Sequence, residues 1–140
     1  MDFYVNTRIL NVRIVQGAII AAPIGIVLLA SGDDAVLALI LSVIGAACVA
    51  AFEAYYIRRY ITRLTRDGSG WLMSTLTTFG ERQFRFDPAQ VRFGNEIEQH
   101  VRFVDVNYHF PLYLAGQRYI LDTTPPVQFD FAALQRAMRS

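Results

Sequence analysis

From Ile14 to Gly32 the chain carries no charged residue, and from Ala35 to Phe52 it carries none again; only Asp33-Asp34 separate the two runs. A membrane-crossing helix takes about 20 mostly apolar residues, within a range of roughly 17 to 25. Both runs qualify. A buried helix of a small soluble protein keeps a polar stripe, whereas Ala35–Phe52 is interrupted only by Ser42 and Cys48. The pattern predicts a transmembrane helical hairpin over residues 14–57, with spans at about 14–31 and 35–56. Residues 1–13 form an N-terminal interfacial segment. Its "FYVNTRILNV" reads either as a short interfacial helix or as a strand that pairs with a later sheet.

Beyond Arg66 the grammar changes. "DGSG" is a turn signal. "WLMSTLTTF" is rich in β-formers, "GER" follows as a tight connection, and "QFRFD" alternates aromatic and polar positions like a half-buried strand. "PAQVRF" is another short extended piece. "VRFVDVNYHF" puts Val104, Val106, Tyr108 and Phe110 on one face, and "LYLAGQRYIL" reads as two strands around Ala115-Gly116-Gln117. In "DFAALQRAM", Asp130 is the expected N-cap of a closing helix at about 130–139, with Phe131, Leu134 and Met138 on its apolar face. The predicted fold class is membrane α+β: a two-helix transmembrane hairpin followed, over residues 58–140, by a small antiparallel β domain with a C-terminal helix. A core of that size is marginal alone, so the domain is expected to lean on the membrane or on a partner.

Charge placement orients the hairpin. Arg8 and Arg13 precede the first span, Arg58, Arg59, Arg63 and Arg66 follow the second, and the connecting "SGDD" has no base. The positive-inside rule then puts both chain ends on the cytoplasmic or matrix side. Tyr55 and Tyr56 sit where an aromatic belt belongs. The four arginines behind them are candidate contacts for a partner or for anionic headgroups, which favour each base by about 1 kcal/mol. Glu53, the acid beside the second span, is expected to form an interfacial ion pair with Arg58.

Small residues recur at four-residue spacing in both spans: Gly17, Ala21 and Gly25 in the first, Ala38, Ser42, Ala46 and Ala50 in the second. Such stripes let helix backbones approach closely in lipid, where no hydrophobic effect acts between helices. Pro23 frees the carbonyl of Ile19 and is expected to kink the first span. That span does not read as a cleaved signal, because Asp2 lies in its leading region and a second span follows at once. No Arg/Ser-rich, acid-free transit peptide is visible, so an import signal is expected to be internal or already removed.

Composition narrows the chemistry. Only 18% of residues are charged, against about 25% in ordinary soluble domains. A net charge of +1 gives no global field to attract nucleic acid. All 13 basic residues are arginine, which leaves no lysine to act as base or Schiff-base former, and Cys48 is the sole cysteine. An intrachain disulfide and a Cys-rich metal site are therefore excluded. There is no Gly-rich phosphate loop and no GxSxG, and no nucleophile, base and orienter assemble. Glu96, Glu98 and His100 alternate, with His109 near in sequence, which is the geometry of a weak metal site; solvated residues in a loop explain them equally. No cofactor or metal is expected. Trp71 is expected to pack in the sheet core or at the bilayer interface.

The order of segments, with Arg58-Arg59-Tyr60 at the membrane exit, resembles a known family. Leu76, Thr77, Phe79, Gly80, Arg82 and Gln83 in "LTTFGERQFRFDPAQV", with Pro88 and Val91 after them, carry the likeness. The chain looks like the mitochondrial transmembrane protein 186 family and its relatives, transmembrane proteins 70 and 223, over roughly residues 5–93. The resemblance implies a non-enzymatic inner-membrane assembly factor or accessory subunit of a respiratory-chain complex, complex I above all, with complex IV or ATP synthase as others. Its partners would be membrane subunits of that complex, with anionic, cardiolipin-like lipid at the arginine cluster. No catalytic residue carries over. It also implies the mitochondrial inner membrane, multi-pass, both termini in the matrix. The alternative outline is a bacterial inner-membrane protein, both termini cytoplasmic, with two spans and a pleckstrin-like lipid-binding β domain.

Overall fold

Asp34 starts the second of two long apolar helices. Its side chain accepts the amides of Val36 and Leu37, each at 3.0 Å, and so satisfies donors that a helix start leaves open. The computed structural model describes residues 1–68, 70–99, 107–127 and 129–139. In it α1 (Ile9–Ala30) and α2 (Ala35–Tyr55) form a hairpin, and Gly32 takes a positive φ of 51° in the connection. Both helices are long and apolar enough to cross a membrane. The first begins at Ile9, ahead of the expected span, and runs on through Pro23. A 3-10 turn, Ile57–Arg59, then leads from α2 into the sheets.

The N-terminal segment forms a strand, β1 (Asp2–Val5), before α1 begins. With β2 (Ile61–Asp67), β3 (Gly70–Leu76) and β4 (Glu81–Phe86) it builds one antiparallel sheet in the order β1-β2-β3-β4. A second antiparallel sheet comprises β5 (Arg92–Phe93), β6 (Ile97–Gln99), β7 (Asn107–Leu114) and β8 (Gln117–Asp122). Here β8 pairs along one edge of β7, while β5 and β6 share the other. The β7–β8 turn uses Ala115 and Gly116, both at positive φ, as a tight two-residue hairpin requires. A parallel bridge between Tyr60 and Ile120 ties the sheets together. Pro88–Gln90 form a 3-10 turn where an extended piece was expected, with Asp87 accepting the Ala89 amide at 2.9 Å. The tight connection before β4 is Thr77–Gly80; Glu81 and Arg82 already belong to the strand. Val104 and Val106 lie outside the described residues.

Between the sheets lies the core. Ile61, Leu64, Trp71 and Met73 come from the first sheet, and Leu112, Leu114 and Leu121 from the second. Ile61 and Leu64 both point inward despite their odd spacing, because a bulge between Ile61 and Arg63 shifts the alternation. The closing helix α3 (Phe131–Arg139) adds Leu134 and Met138, and Asp130 caps it by accepting the Ala133 amide at 2.9 Å. Phe131 anchors that helix by stacking on Phe110 at 4.3 Å and meeting Phe93 edge-on at 5.0 Å.

The hairpin buries the opposite kind of residue. In the most apolar stretch of α1 11% of residues are buried, and in that of α2 none are. Leu29 is 90% and Leu28 74% exposed, whereas the buried hairpin residues are Gln16, Gly45 and Glu53. The small-residue stripes do not make the crossing point. A Cβ added to Gly17 or Gly25 would meet nothing within 4 Å, and Ala21, Ser42, Ala46 and Ala50 are exposed, with Ala38 intermediate. Close approach occurs instead at Gly45, where an added Cβ would lie 2.5 Å from the Pro23 Cβ. Proline, with its ring flat against the helix, is the bulky partner, and glycine is the residue that yields to it.

Candidate functional site

Two constructions join the hairpin to the β domain, and both use residues from distant parts of the chain. The first is a polar joint. Arg13, in the second turn of α1, donates to the carbonyls of Thr77 (2.6 Å), Thr78 (3.2 Å) and Gly80 in the β3–β4 turn. It also donates to Gln16 Oε1 at 2.7 Å. Gln16 Nε2 then donates to Glu53 Oε1 on α2 at 2.6 Å, and Thr78 Oγ1 donates to Glu53 Oε2 at 3.1 Å. A turn has carbonyls that no ladder satisfies, and a guanidinium is the side chain with enough donors to take several at once. Gln16 and Glu53 are only 3% and 6% exposed, so their mutual hydrogen bond offsets the penalty of hiding two polar groups. Phe79, at the tip of the same turn, is 98% exposed.

This arrangement corrects the expected role of Glu53. Among the described residues no ion pair joins it to Arg58; Gln16 and Thr78 hold it. Arg13 is likewise a clamp on the turn and not only a topology charge.

The second construction is a cleft of about 530 Å³ under the base of the hairpin. One wall is a single face of α1, where Arg8, Asn11, Val12 and Val15 recur at helical spacing. The end of α2 and the turn after it supply Tyr55, Tyr56, Arg59 and Tyr60. The opposite wall is the upper sheet face, with Arg118, Ile120 and Asp122 alternating along β8 and Tyr108 and His109 beside them on β7. Asp122 is the fixed point of the floor. Tyr60 donates its hydroxyl to Oδ2, the Thr124 amide donates to Oδ1 at 2.9 Å, and Arg8 lies 3.7 Å away. The Tyr4 hydroxyl donates to the Asp122 carbonyl at 2.7 Å.

Burial, reinforced by the Asp122 charge, pushes the Tyr4 and Tyr60 hydroxyls well above the usual phenol range, so both stay protonated donors. His109 is held below the usual histidine range, first by burial and then by Arg118, with Asp122 opposing. Its Nε2 lies 3.4 Å from the Arg118 guanidinium. Arg59 lies over the Tyr55 ring, 5.1 Å from its centroid, in a cation–π contact.

Of the expected interface set, Tyr55, Tyr56 and Arg59 come together in the cleft. Arg58 is exposed in the 3-10 turn beside it. Arg63 and Arg66 run away along β2, where Arg66 lies over Trp71 at 5.9 Å from the ring centroid. The four arginines therefore do not form one patch. Arg118, His109 and Asp122 come from a strand distant in sequence, and nothing in the sequence pairs them with α1. Gln16 did leave a signal, as the sole amide in the first charge-free run. Of the weak metal arrangement, His100 lies outside the described residues, Glu96 accepts from Thr123 Oγ1 at 3.2 Å, and His109 faces Arg118. No metal-holding group of His, Cys, Asp or Glu occurs among the described residues. No family model matches this chain, and no curated protein or solved structure shows significant similarity to it.

Proposed function

We propose that this is a two-span membrane protein that acts by binding, with its β domain set against the arginine-bearing face of the bilayer. The inverted burial of the hairpin carries the reading. Exposed apolar surface costs about 25 cal/mol per Å² in water and nothing in hydrocarbon, while Gln16 and Glu53, which hydrocarbon would penalise, are the residues hidden at the domain end. Arg8, Arg13, Arg58 and Arg59 lie at that end and Asp33 and Asp34 at the other, which favours both termini on the cytoplasmic or matrix side.

Within this frame, the likeness to the transmembrane protein 186, 70 and 223 group supports a non-enzymatic assembly factor or accessory subunit of a respiratory complex in the mitochondrial inner membrane, complex I first. The exposed hairpin faces would dock on its membrane subunits. The cleft favours a second reading, a bacterial-type two-span protein whose β domain holds anionic lipid. Purification in mild detergent with mass spectrometry separates them. Stoichiometric respiratory subunits support the first; a lone protein carrying anionic lipid supports the second. Topology is tested in a Cys48→Ser background. A cysteine replacing Asp33 should react with an impermeant thiol reagent from outside, and one replacing Gly68 only after permeabilisation. The reverse pattern overturns the orientation.

A further inference from the structure

We infer that the cleft beneath the hairpin is a phosphate site for a single membrane phospholipid, entered sideways from the bilayer. The inference rests on the membrane reading proposed above and assigns a ligand class to one specific site. Three guanidinium groups, those of Arg8, Arg59 and Arg118, line the cleft against one carboxylate, Asp122. That carboxylate is already engaged by Tyr60, Thr124 and Arg8. Arg59 and Arg118 form no ion pair among the described residues. Their nearest recorded partners are an aromatic face and an imidazole held below its usual range. Two such forks, one at a helix exit and one on a paired strand, match the oxygens of a phosphate diester.

The source of the phosphate follows from the gradient along the walls. The arginines lie nearest the sheets, whereas Val12 and Val15 line the cleft farther along α1. At about 1.5 Å of rise per residue, Val15 stands roughly 9 Å up the helix from Ile9. It is 50% exposed, and Tyr55 across from it is 70% exposed. A basic floor with an apolar lip that merges into the spans suits an amphiphile whose headgroup sits below and whose acyl chains run up along α1. A soluble phosphate has no use for that lip. The volume, about 530 Å³, falls in the usual size range of small-ligand sites.

The test uses the full chain in nanodiscs of phosphatidylcholine with a minor share of phosphatidylglycerol, and native mass spectrometry to count retained anionic lipid. Wild type should hold a single phosphatidylglycerol. Arg59→Gln with Arg118→Gln should lower its retention about tenfold, the scale of losing one good charge-assisted contact. Arg63→Gln, outside the cleft, should leave it unchanged. If the double variant loses its near-ultraviolet spectrum, Arg118→Gln alone, at an exposed strand position, carries the comparison. Equal retention by the wild type and the cleft variants overturns the site. Displacement of the lipid by equimolar sn-glycerol 3-phosphate assigns the cleft to soluble phosphate and overturns the lipid. Release of the wild-type protein by alkaline carbonate would instead fail the membrane reading itself, which keeps the two failures apart.

Discussion

Leu64 in β2 is fully buried and Leu29 in α1 is 90% exposed, although both sit in regular elements of one short chain. The β domain follows the rule of proteins in water: leucines, Trp71 and Met73 inside, arginines outside. The hairpin reverses it, with an amide and a carboxylate inside and Leu, Ile and Val outside. Because the two regions lie one on the other, the boundary between these rules falls at the joint of Arg13, Gln16, Glu53 and the β3–β4 turn. What a residue contributes here depends on which solvent its region was built for.

The largest expected effect is in the domain that uses water. Leu64→Ala should cost about 2–5 kcal/mol, read as denaturant unfolding of the detergent-solubilised protein by Trp71 fluorescence. A loss no larger than that of a hairpin leucine would break the contrast.

Next comes the joint. Arg13→Ala leaves three turn carbonyls without their charged donor and should cost about 1.5–3 kcal/mol. Hydrogen exchange should quicken at residues 77–80 while the amides of β2 and β3 keep their protection. Uniform loss of protection would mean that the joint is part of the domain core.

Gly45→Leu should separate the helices where Pro23 presses closest, at a cost of about 1–3 kcal/mol. Faster exchange of the α1 amides near Pro23 reports it, and Ala21→Leu, on an exposed face, is the control. Equal effects would restore the small-residue stripe as the contact.

Alkaline pH should act on the domain alone. Tyr4 and Tyr60 ionise in the unfolded chain near pH 10 but resist in the folded one. The unfolded state therefore releases protons first, so stability is full below about pH 10 and falls as pH rises beyond it. Tyrosinate absorbance should show two phenols titrating only with unfolding. Titration of all tyrosines before unfolding would contradict the buried pair.

The smallest effect is at the hairpin surface. Leu29→Ala should change domain stability by less than about 0.5 kcal/mol, measured in the same denaturant series as Leu64→Ala.

Much of the architecture was legible without coordinates. Two charge-free runs of spanning length, the turn at "SGDD", the alternation of "QFRFD", the Ala115-Gly116 turn and the Asp130 cap are local signals, and each local signal reports a local backbone preference. The crossing point was not legible in this way. Four-residue spacing selects a helix face but does not say which face meets the neighbour, and Gly45 against Pro23 decided that. Glu53 shows the same limit: Arg58 is one turn away in sequence, yet Gln16 and Thr78, from α1 and the β3–β4 turn, hold its two oxygens. The cleft lay furthest from view. Its helical face, Arg8 to Val15, and its strand face, Arg118 to Asp122, each follow from one-dimensional periodicity. That these two faces oppose each other depends on the Tyr60–Ile120 bridge and on the packing of Ile57, Tyr60 and Leu76 beneath the helices. Periodicity along a chain determines what each element can bury; which elements share a burial is set by long-range packing, and only the folded chain contains that information.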